Sequence, residues 1–324
     1  MENKNLNKLG IDIGSTTVKI AVLGKNNELL FADYERHFAN IRETLTDLLK
    51  KAFDKLGNLK LAPMITGSGG LTLAKHLGIP FVQEVISVST ALQDYAPQTD
   101  VAIELGGEDA KIIYFTGGIE QRMNGSCAGG TGSFLDQMAI LLNTDTEGLN
   151  ELARKGSVIY PIASRCGVFA KTDVQPLIND GARKEDIALS IMQAVVNQTI
   201  SGLACGKPIK GNVIFLGGPL NYLDTLKERF KITLNLSDDA AISPKDAHLF
   251  VAGGALFSNM NSKPINAKML AKKVEMIGRF KEEATLALDP LFETEEDYKE
   301  FLDRHSREKV ETKPIKDYEG DIFI

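Results

Sequence analysis

The sequence predicts an α/β protein made of two similarly built halves, followed by a charged tail. An apolar strand, a glycine-rich polar turn and a second strand occupy residues 9–24, and the same pattern returns at residues 100–118. Each unit leads to a third strand and then to segments whose apolar residues recur at helical spacing. Two such units about 90 residues apart indicate an internal duplication.

Composition and charge exclude several classes of protein. The chain has 324 residues, enough for about two domains, and 43% of them are hydrophobic and 25% charged, as in ordinary globular proteins. Its 37 Lys and Arg against 43 Asp and Glu give a net charge of −6, which argues against nucleic-acid and anionic-membrane partners. No stretch reaches the roughly 20 apolar residues that span a bilayer, and the first residues lack a signal-peptide pattern.

The elements of the first half follow from local patterns. Strands separated by short polar turns predict a meander, and apolar residues three or four apart up to Gly57 predict a helix that ends there. The predicted elements are strands at residues 9–14, 18–24 and 28–38, a helix at 41–57, a strand at 63–66, a helix ending near 77, and a further strand and helix ending near 95.

The second half repeats the opening unit and continues with longer helices. Its predicted elements are the unit at residues 100–118, a third strand at 119–123, two cysteine–glycine segments that each lead into a helix, a long helix at 184–204, a strand at 212–218, a helix at 220–230, a helix at 243–260 interrupted by Gly253-Gly254, and a tail helix at 293–307. We therefore expect three regions: residues 1–97 with the helix at 244–260, residues 98–243, and a tail or linker at 261–324.

A glycine-rich loop after the first strand indicates a phosphate site. It reads Asp12-x-Gly14-Ser15-Thr16-Thr17-x-Lys19. Backbone N–H groups and hydroxyls in such a loop surround an anion, and the lysine adds positive charge. The aspartate can hold a hydrated Mg²⁺ ion.

Two further loops extend this site. Gly106-Gly107 stands among the acids Glu104, Glu108 and Asp109, and Gly217-Gly218-Pro219 ends a strand that opens onto a helix. Taken singly, each loop is more typical of a tight turn that needs a positive φ. Three such loops in this strand context are harder to obtain by chance, and together they indicate a nucleotide site.

The cysteines have two readings. Cys127 and Cys166 each precede a predicted helix start, where free N–H groups stabilise a thiolate or an anionic iron–sulfur cluster. Such clusters usually take four thiolates, so a symmetric dimer would be needed to supply them. A lone cysteine is otherwise a small buried hydrophobe, as we expect for Cys205, and the wide spacing of all three argues for a reducing, cytoplasmic setting.

Several segments resemble one nucleotide-binding superfamily. IDIGSTTVK and ELGGEDAK are similar to the two phosphate loops of the acetate-kinase, sugar-kinase, actin and heat-shock-chaperone superfamily. VIFLGGPLNYLDTLKERF resembles its adenosine motif, and FVAGGALF resembles its second connecting helix. The resemblance implies two ribonuclease-H-like, actin-like domains with ATP in the cleft between them. Glu104 stands where this superfamily usually has Asp.

The cysteine segments narrow the resemblance. MNGSCAGGTGSFLDQMA and SRCGVFAKTDVQPLI resemble the motifs of the 2-hydroxyacyl-CoA dehydratase activators, a family that includes the ATPase subunits of benzoyl-CoA reductase. This implies an anaerobic ATPase that shares one 4Fe–4S cluster between two modules through Cys127 and Cys166. It also implies electron transfer from ferredoxin or flavodoxin to a partner iron–sulfur dehydratase or reductase.

The resemblance also implies roles for the loop residues. Phosphates would contact Gly14, Ser15, Thr16, Thr17, Lys19, Gly106 and Gly107, the adenosine Gly217, Gly218 and Pro219, and Mg²⁺ would lie on Asp12 through water. Glu104, Glu108 or Asp109 would position the attacking water.

Two other functions and one question of length stay open. A small-molecule kinase of the same superfamily would phosphorylate a sugar or carboxylate and would have no use for paired cysteines. A nucleotide-responsive scaffold would bind ATP and assemble without iron. The residues Gly125-Ser126 and Gly129 are more similar to those of long tandem activators. The ending IKDYEGDIFI resembles a segment that leads into another strand. The chain is therefore predicted to be the N-terminal module of a longer protein, the alternative being an ordinary docking tail.

Overall fold

The computed structural model describes the chain in five stretches: residues 6–125, 129–164, 166–256, 262–277 and 290–309. The chain forms two compact units, Met1–Gly278 and Arg279–Ile324. The first unit holds both sheets, and the second contributes one described helix.

The first half of the large unit contains β1 (Asn7–Ile13), β2 (Thr17–Leu23), β3 (Leu29–Arg36), α1 (Ile41–Leu56), β4 (Lys60–Thr66), α2 (Gly70–Leu77) and α3 (Glu84–Tyr95). The second half contains β5 (Val101–Leu105), β6 (Ala110–Tyr114), β7 (Glu120–Met123), α4 (Gly132–Leu141), α5 (Thr146–Arg154), α6 (Gly167–Asn179), α7 (Lys184–Thr199), a π-helical turn (Ile200–Ala204), β8 (Val213–Leu216), α8 (Gly218–Tyr222), α9 (Asp224–Leu234) and β9 (Ala241–Ile242). The chain then returns to the first half through α10 (Phe250–Ala255), β10 (Ile265–Asn266) and α11 (Ala267–Ile277), and the second unit contains α12 (Glu295–Ser306).

The two sheets share one topology. Their strand orders are β10-β4-β1-β2-β3 and β7-β6-β5-β8-β9, so the first three strands of each half form an antiparallel meander beside a parallel fourth strand. Central strands are apolar on both faces because helices cover both sides, and β5, β6 and β8 are buried throughout. The predicted two-sheet α/β fold is confirmed.

Two helices, α3 and α10, join the halves and pack closely on each other. A Cβ on Gly254 of α10 would lie 1.9 Å from the carbonyl oxygen of Ser87 in α3, so only glycine permits this approach. Ser87 Oγ donates a 2.6 Å hydrogen bond to the carbonyl of Val251. We call α3 and α10 the crossing helices. Their tight contact fixes them against each other at the junction of the two halves.

Three sequence predictions differ from the structure. The helix expected at residues 220–230 is two helices, α8 and α9, which meet at Leu223. The helix expected from residue 243 is a 3₁₀ turn followed by α10, with Gly253 and Gly254 inside it and not between two helices. Residues 265–277, inside the expected tail, form β10 and α11, whose Leu270 and Val274 are buried against α1 and the first sheet.

The predicted tail helix is confirmed as α12. Thr294 Oγ1 accepts from the N–H of Asp297, and the Asp297 carboxylate accepts from the N–H of Thr294, which is a capping box. The segment IKDYEGDIFI lies outside the described residues.

One described segment, Lys184–Ala204, is long and apolar enough to cross a membrane, but 67% of its most apolar window is buried inside the large unit. It comprises α7 and the π turn, and its side chains belong to the core of the second half. This burial is typical of a core helix.

Candidate functional site

The two phosphate-type loops form the same turn. The N–H of Gly14 donates to the carbonyl of Thr17 at 2.9 Å, and the N–H of Gly106 donates to that of Asp109 at 2.7 Å. The loops also touch, since a Cβ on Gly107 would lie 1.9 Å from Thr16 Oγ1. The duplication therefore places two N–H-rich turns face to face, as a nucleotide's phosphates require.

A buried ion pair lies under the first loop. Lys19 Nζ is 2.8 Å from Asp12 Oδ2, and the Asp12 side chain is 3% exposed. The two residues stand opposite each other on β2 and β1. Burial alone would lower the pKa of Lys19, but the Asp12 carboxylate, with Glu104 and Glu84 farther away, outweighs burial and raises it.

The second half carries the equivalent pair in a different arrangement. Glu104 on β5 stands opposite Lys111 on β6, but Lys111 Nζ is 3.9 Å from Glu104 and contacts Glu84 of α3 directly. Glu104 Oε2 is buried and has no hydrogen-bond partner among the described residues. Burial raises the pKa of Glu104. Of the other two predicted acids, Glu108 is exposed and Asp109 half-buried.

The third loop approaches the second sheet closely. Gly217 has φ +90°, and a Cβ there would lie 2.0 Å from the carbonyl oxygen of Leu105, so the position requires glycine on both counts. Pro219 lies in the first turn of α8, where backbone N–H groups have no partner within the helix, so the N–H that proline lacks costs nothing. Gly218 and Pro219 reach the cleft directly.

These loops line a cleft of about 400 Å³ between the halves. The predicted residues that line it are Thr16, Thr17, Lys19, Gly106, Gly107, Gly218 and Pro219. Asp12, Gly14, Ser15 and Gly217 shape the loops or support them and are not part of the lining. The predicted acids Glu104, Glu108 and Asp109 do not line the cleft either.

His37 supports the first loop and was missed from the sequence. Its backbone N–H donates to the carbonyl of Thr16 at 3.0 Å, and its Nε2 lies 3.2 Å from the carbonyl oxygen of Gly14. Nδ1 accepts from the N–H of Ala39 at 3.1 Å, so Nε2 carries the hydrogen and donates to Gly14. The following Phe38 and Ala39 have φ +43° and +66°, a strained turn that aims the imidazole at the loop.

Aromatic side chains from both halves meet in the cleft. Tyr34 of β3 stacks on Tyr222 of α8 with ring centroids 5.8 Å apart, and His248 lies 4.9 Å from Tyr34. Tyr222 Oη is 3.2 Å from His248 Nε2. Burial, aided by the charge of Lys19, lowers the pKa of His248 to about 4, so its imidazole is neutral at pH 7.

An ion pair closes one edge of the cleft. Arg36, at the end of β3, donates to both oxygens of Asp136 on α4, at 2.7 and 3.1 Å. Thr146 Oγ1 donates to the same carboxylate at 2.5 Å. The pair joins the two halves beside the nucleotide loops.

Helix α4 connects the cleft to the first cysteine segment. The N–H groups of Gly132 and Ser133 donate to the carbonyls of Gly106 and Gly107, at 2.9 and 2.8 Å. Cys127, with Ser126, lies outside the described residues, and α4 begins only at Gly132. The start of α4 is thus hydrogen-bonded to the second phosphate loop.

The second cysteine segment lies against the first. Cys166 is the N-cap of α6 and is half-buried, as the sequence predicts, and it has no disulfide partner within the described chain. A Cβ on Gly167 would be 3.9 Å from the Cα of Gly129. The expected burial of Cys205 is wrong: it is exposed, because it follows the last residue of the π turn as its C-cap, in the left-handed conformation with φ +46°.

Comparison with known proteins identifies the family. Residues 9–258 match the BadF/BadG/BcrA/BcrD ATPase family. The chain belongs to this family. The fold and the ATPase class predicted from the motifs are thereby confirmed.

Named relatives are dehydratase activators. The "(R)-2-hydroxyglutaryl-CoA dehydratase activating ATPase" of Acidaminococcus fermentans is 30% identical over 215 residues, which are 65% of this chain and 82% of the relative. The solved structure of component A of that dehydratase system superposes with a TM-score of 0.68 at 25% identity, over 82% of this chain and 99% of its own. The activator of 2-hydroxyisocaproyl-CoA dehydratase from Clostridium difficile, solved with bound ADPNP, has a TM-score of 0.67 at 24% identity, over 86% and 100%.

Proposed function

We propose that this BadF/BadG/BcrA/BcrD-type ATPase is an activator that couples ATP hydrolysis to delivery of a low-potential electron to an iron–sulfur dehydratase or reductase of CoA thioesters. The named relatives activate such dehydratases. The observation that supports the coupling is the pair of hydrogen bonds from Gly132 and Ser133 to the second phosphate loop.

The nucleotide would be held by the residues the sequence indicates. Lys19 and the N–H groups and hydroxyls of residues 14–17 and 106–107 suit the phosphates, and Gly217, Gly218 and Pro219 suit the adenosine. Asp12 Oδ2 is bonded to Lys19, and the other carboxylate oxygen can accept from water bound to Mg²⁺. Glu104, Glu108 and Asp109 are the candidate water-positioning acids.

Movement at the phosphates would reach the cysteines through α4. A shift of the carbonyls of Gly106 or Gly107 changes the acceptors of the first two N–H groups of α4. The chain from Gly132 back to Gly129 is short, and Gly129 contacts the turn at Gly167 beside Cys166. Closure of the cleft at the Arg36–Asp136 pair would therefore alter the spacing of both cysteine segments.

The residues present fit a shared cluster. Cys166 lies half-buried at the start of α6, where the first N–H groups of the helix favour a thiolate ligand. Cys127 and Cys166 of two modules make four thiolates, and a 4Fe–4S group held by them would supply the low-potential electron.

The wider assignment follows from the same proposal. The second module is another copy of this chain or a tandem module after residue 324, and the electron donor is a ferredoxin or flavodoxin. The regions expected from the sequence, residues 1–97 with 244–260, residues 98–243 and the tail from 261, remain the proposed division, except that residues 265–277 join the first half, where β10 and α11 pack. We place the protein in the cytoplasm, where such donors occur.

The deciding experiment is anaerobic analysis of iron and acid-labile sulfide after reconstitution. Wild type should bind about four iron per pair of modules, Cys127→Ala and Cys166→Ala should bind none, and Cys205→Ala serves as the matched control and should retain iron. Iron chelation should also proceed at different rates with ATP analogue and with ADP. Iron-free wild type that still hydrolyses ATP would refute electron transfer, and kinase products would then be sought.

A further inference from the structure

The duplicated halves contain equivalent carboxylate–lysine pairs that are arranged differently. Asp12 and Lys19 stand opposite on β1 and β2, and Glu104 and Lys111 stand opposite on β5 and β6. The first lysine bonds its partner at 2.8 Å, whereas the second is 3.9 Å from its partner. The registers are the same, so strand pairing alone does not explain the difference.

A third residue accounts for the difference. Glu84, the first residue of the crossing helix α3, contacts the Lys111 ammonium directly through Oε2. The side chains of Glu84 and Lys111 are only 18% and 7% exposed, so the pair is largely withdrawn from water. Charges in such surroundings interact strongly. Lys111 therefore hydrogen-bonds Glu84 in place of its cross-strand partner, while it stays within ion-pair distance of Glu104.

One oxygen of Glu104 has no partner. Oε2 of Glu104 is buried and makes no hydrogen bond within the described chain. Leaving a buried polar atom unpaired is costly, and a water molecule or a catalytic role is among the explanations for such an atom. Glu104 directly precedes Leu105 and the second phosphate loop. Its negative charge helps to raise the pKa of Lys19 in the first half.

We propose that Glu84 is a positioning residue of the ATPase: by binding Lys111 it keeps that lysine from hydrogen-bonding Glu104, and so leaves Glu104 Oε2 free to accept a hydrogen bond from a water molecule beside the second phosphate loop. The proposal rests on the proposed nucleotide site and is independent of the iron–sulfur cluster. Because Glu84 begins a crossing helix, its contact with Lys111 also links the junction of the two halves to the second phosphate loop. A movement of the halves that draws Glu84 away would let Lys111 hydrogen-bond Glu104 and would stop hydrolysis.

The test compares ATP hydrolysis by the full chain carrying Glu84→Gln, Glu84→Asp, or Glu84→Gln together with Lys111→Met. Glu84→Gln should lower kcat about tenfold to a hundredfold while KM for ATP stays nearly constant. Glu84→Asp keeps the negative charge and should retain more activity than Glu84→Gln. The double variant removes the lysine that would otherwise capture Glu104, so it should hydrolyse ATP faster than Glu84→Gln alone.

Controls separate this role from folding and from a direct role of Glu84. Glu275→Gln removes the partner of Lys50 in a surface pair between α11 and α1, and it should leave kcat unchanged. Melting temperatures report the folding of every variant. If Glu84→Gln does not fold, the comparison of kcat between wild type and Glu84→Asp tests the proposal instead. Wild-type kcat in Glu84→Gln, equal losses in Asp and Gln variants, or no gain in the double variant would each overturn the proposal. Iron content does not enter these ratios, so failure of the electron-transfer proposal leaves them interpretable.

Discussion

Lys19→Met removes the only described partner of a buried carboxylate, and its cost can be worked out. Asp12 Oδ2 lies 2.8 Å from Lys19 Nζ, and the carboxylate is 3% exposed. Breaking a buried pair by removing one partner costs about 3–5 kcal/mol.

The expected loss of unfolding free energy is therefore about 3–5 kcal/mol. Urea unfolding followed by circular dichroism measures it. Lys50→Met, which removes a partner of exposed Glu275, is the control and should change little. A loss below about 1 kcal/mol, the size expected for an exposed pair, would refute the reasoning.

Three further predictions concern the cleft. Gly217→Ala should lower the melting temperature and weaken ATP binding, because φ at this residue is +90° and the new Cβ would meet a carbonyl oxygen. Gly218→Ala is the control: no described atom lies within 4 Å of a Cβ there, so this variant should keep the wild-type melting temperature. His248 has its pKa lowered to about 4 by burial, so wild type should lose stability as pH falls from about 6.5 toward 4, and His248→Gln should lose less over that range in thermal melts. Asp136→Asn weakens the pair with Arg36 across the cleft and should speed ADP release in stopped-flow fluorescence without changing the secondary structure; an unchanged rate would contradict a role in closure.

The nucleotide loops were predictable because their signals are local. A strand that ends in glycine and hydroxyl residues specifies its own turn, and both loops show the same N–H to carbonyl bond. The similarity of residues 12–19 and 104–111 likewise predicted two related halves, which the shared strand order confirms. Gly107 against Thr16 adds the contact that brings both loops to one cleft.

Long-range contacts were not predictable in this way. Arg36 and Asp136 are 100 residues apart. Asp136 lies in the first cysteine motif, but nothing in that motif indicates Arg36 as its partner. His37 supports the first loop by hydrogen bonds to the backbone carbonyls of Gly14 and Thr16, and contacts of this kind leave no pattern in the sequence. Helix α11 was missed because its lysines resemble a solvated tail, although Leu270 and Val274 fill the space beside α1. Cys205 was predicted to be buried because cysteines usually are, but its exposure depends on the π turn before it, which the sequence pattern does not indicate.

The return of α11 to the first sheet decides where this module can be cut. The family match ends at residue 258, and a protein shortened there would lose β10 and α11. The apolar faces of α1 and β4 that Ala267, Leu270, Ala271 and Val274 cover would then meet water, inviting aggregation. An expression fragment, or a junction to a following module, therefore belongs after Gly278, where the large compact unit ends.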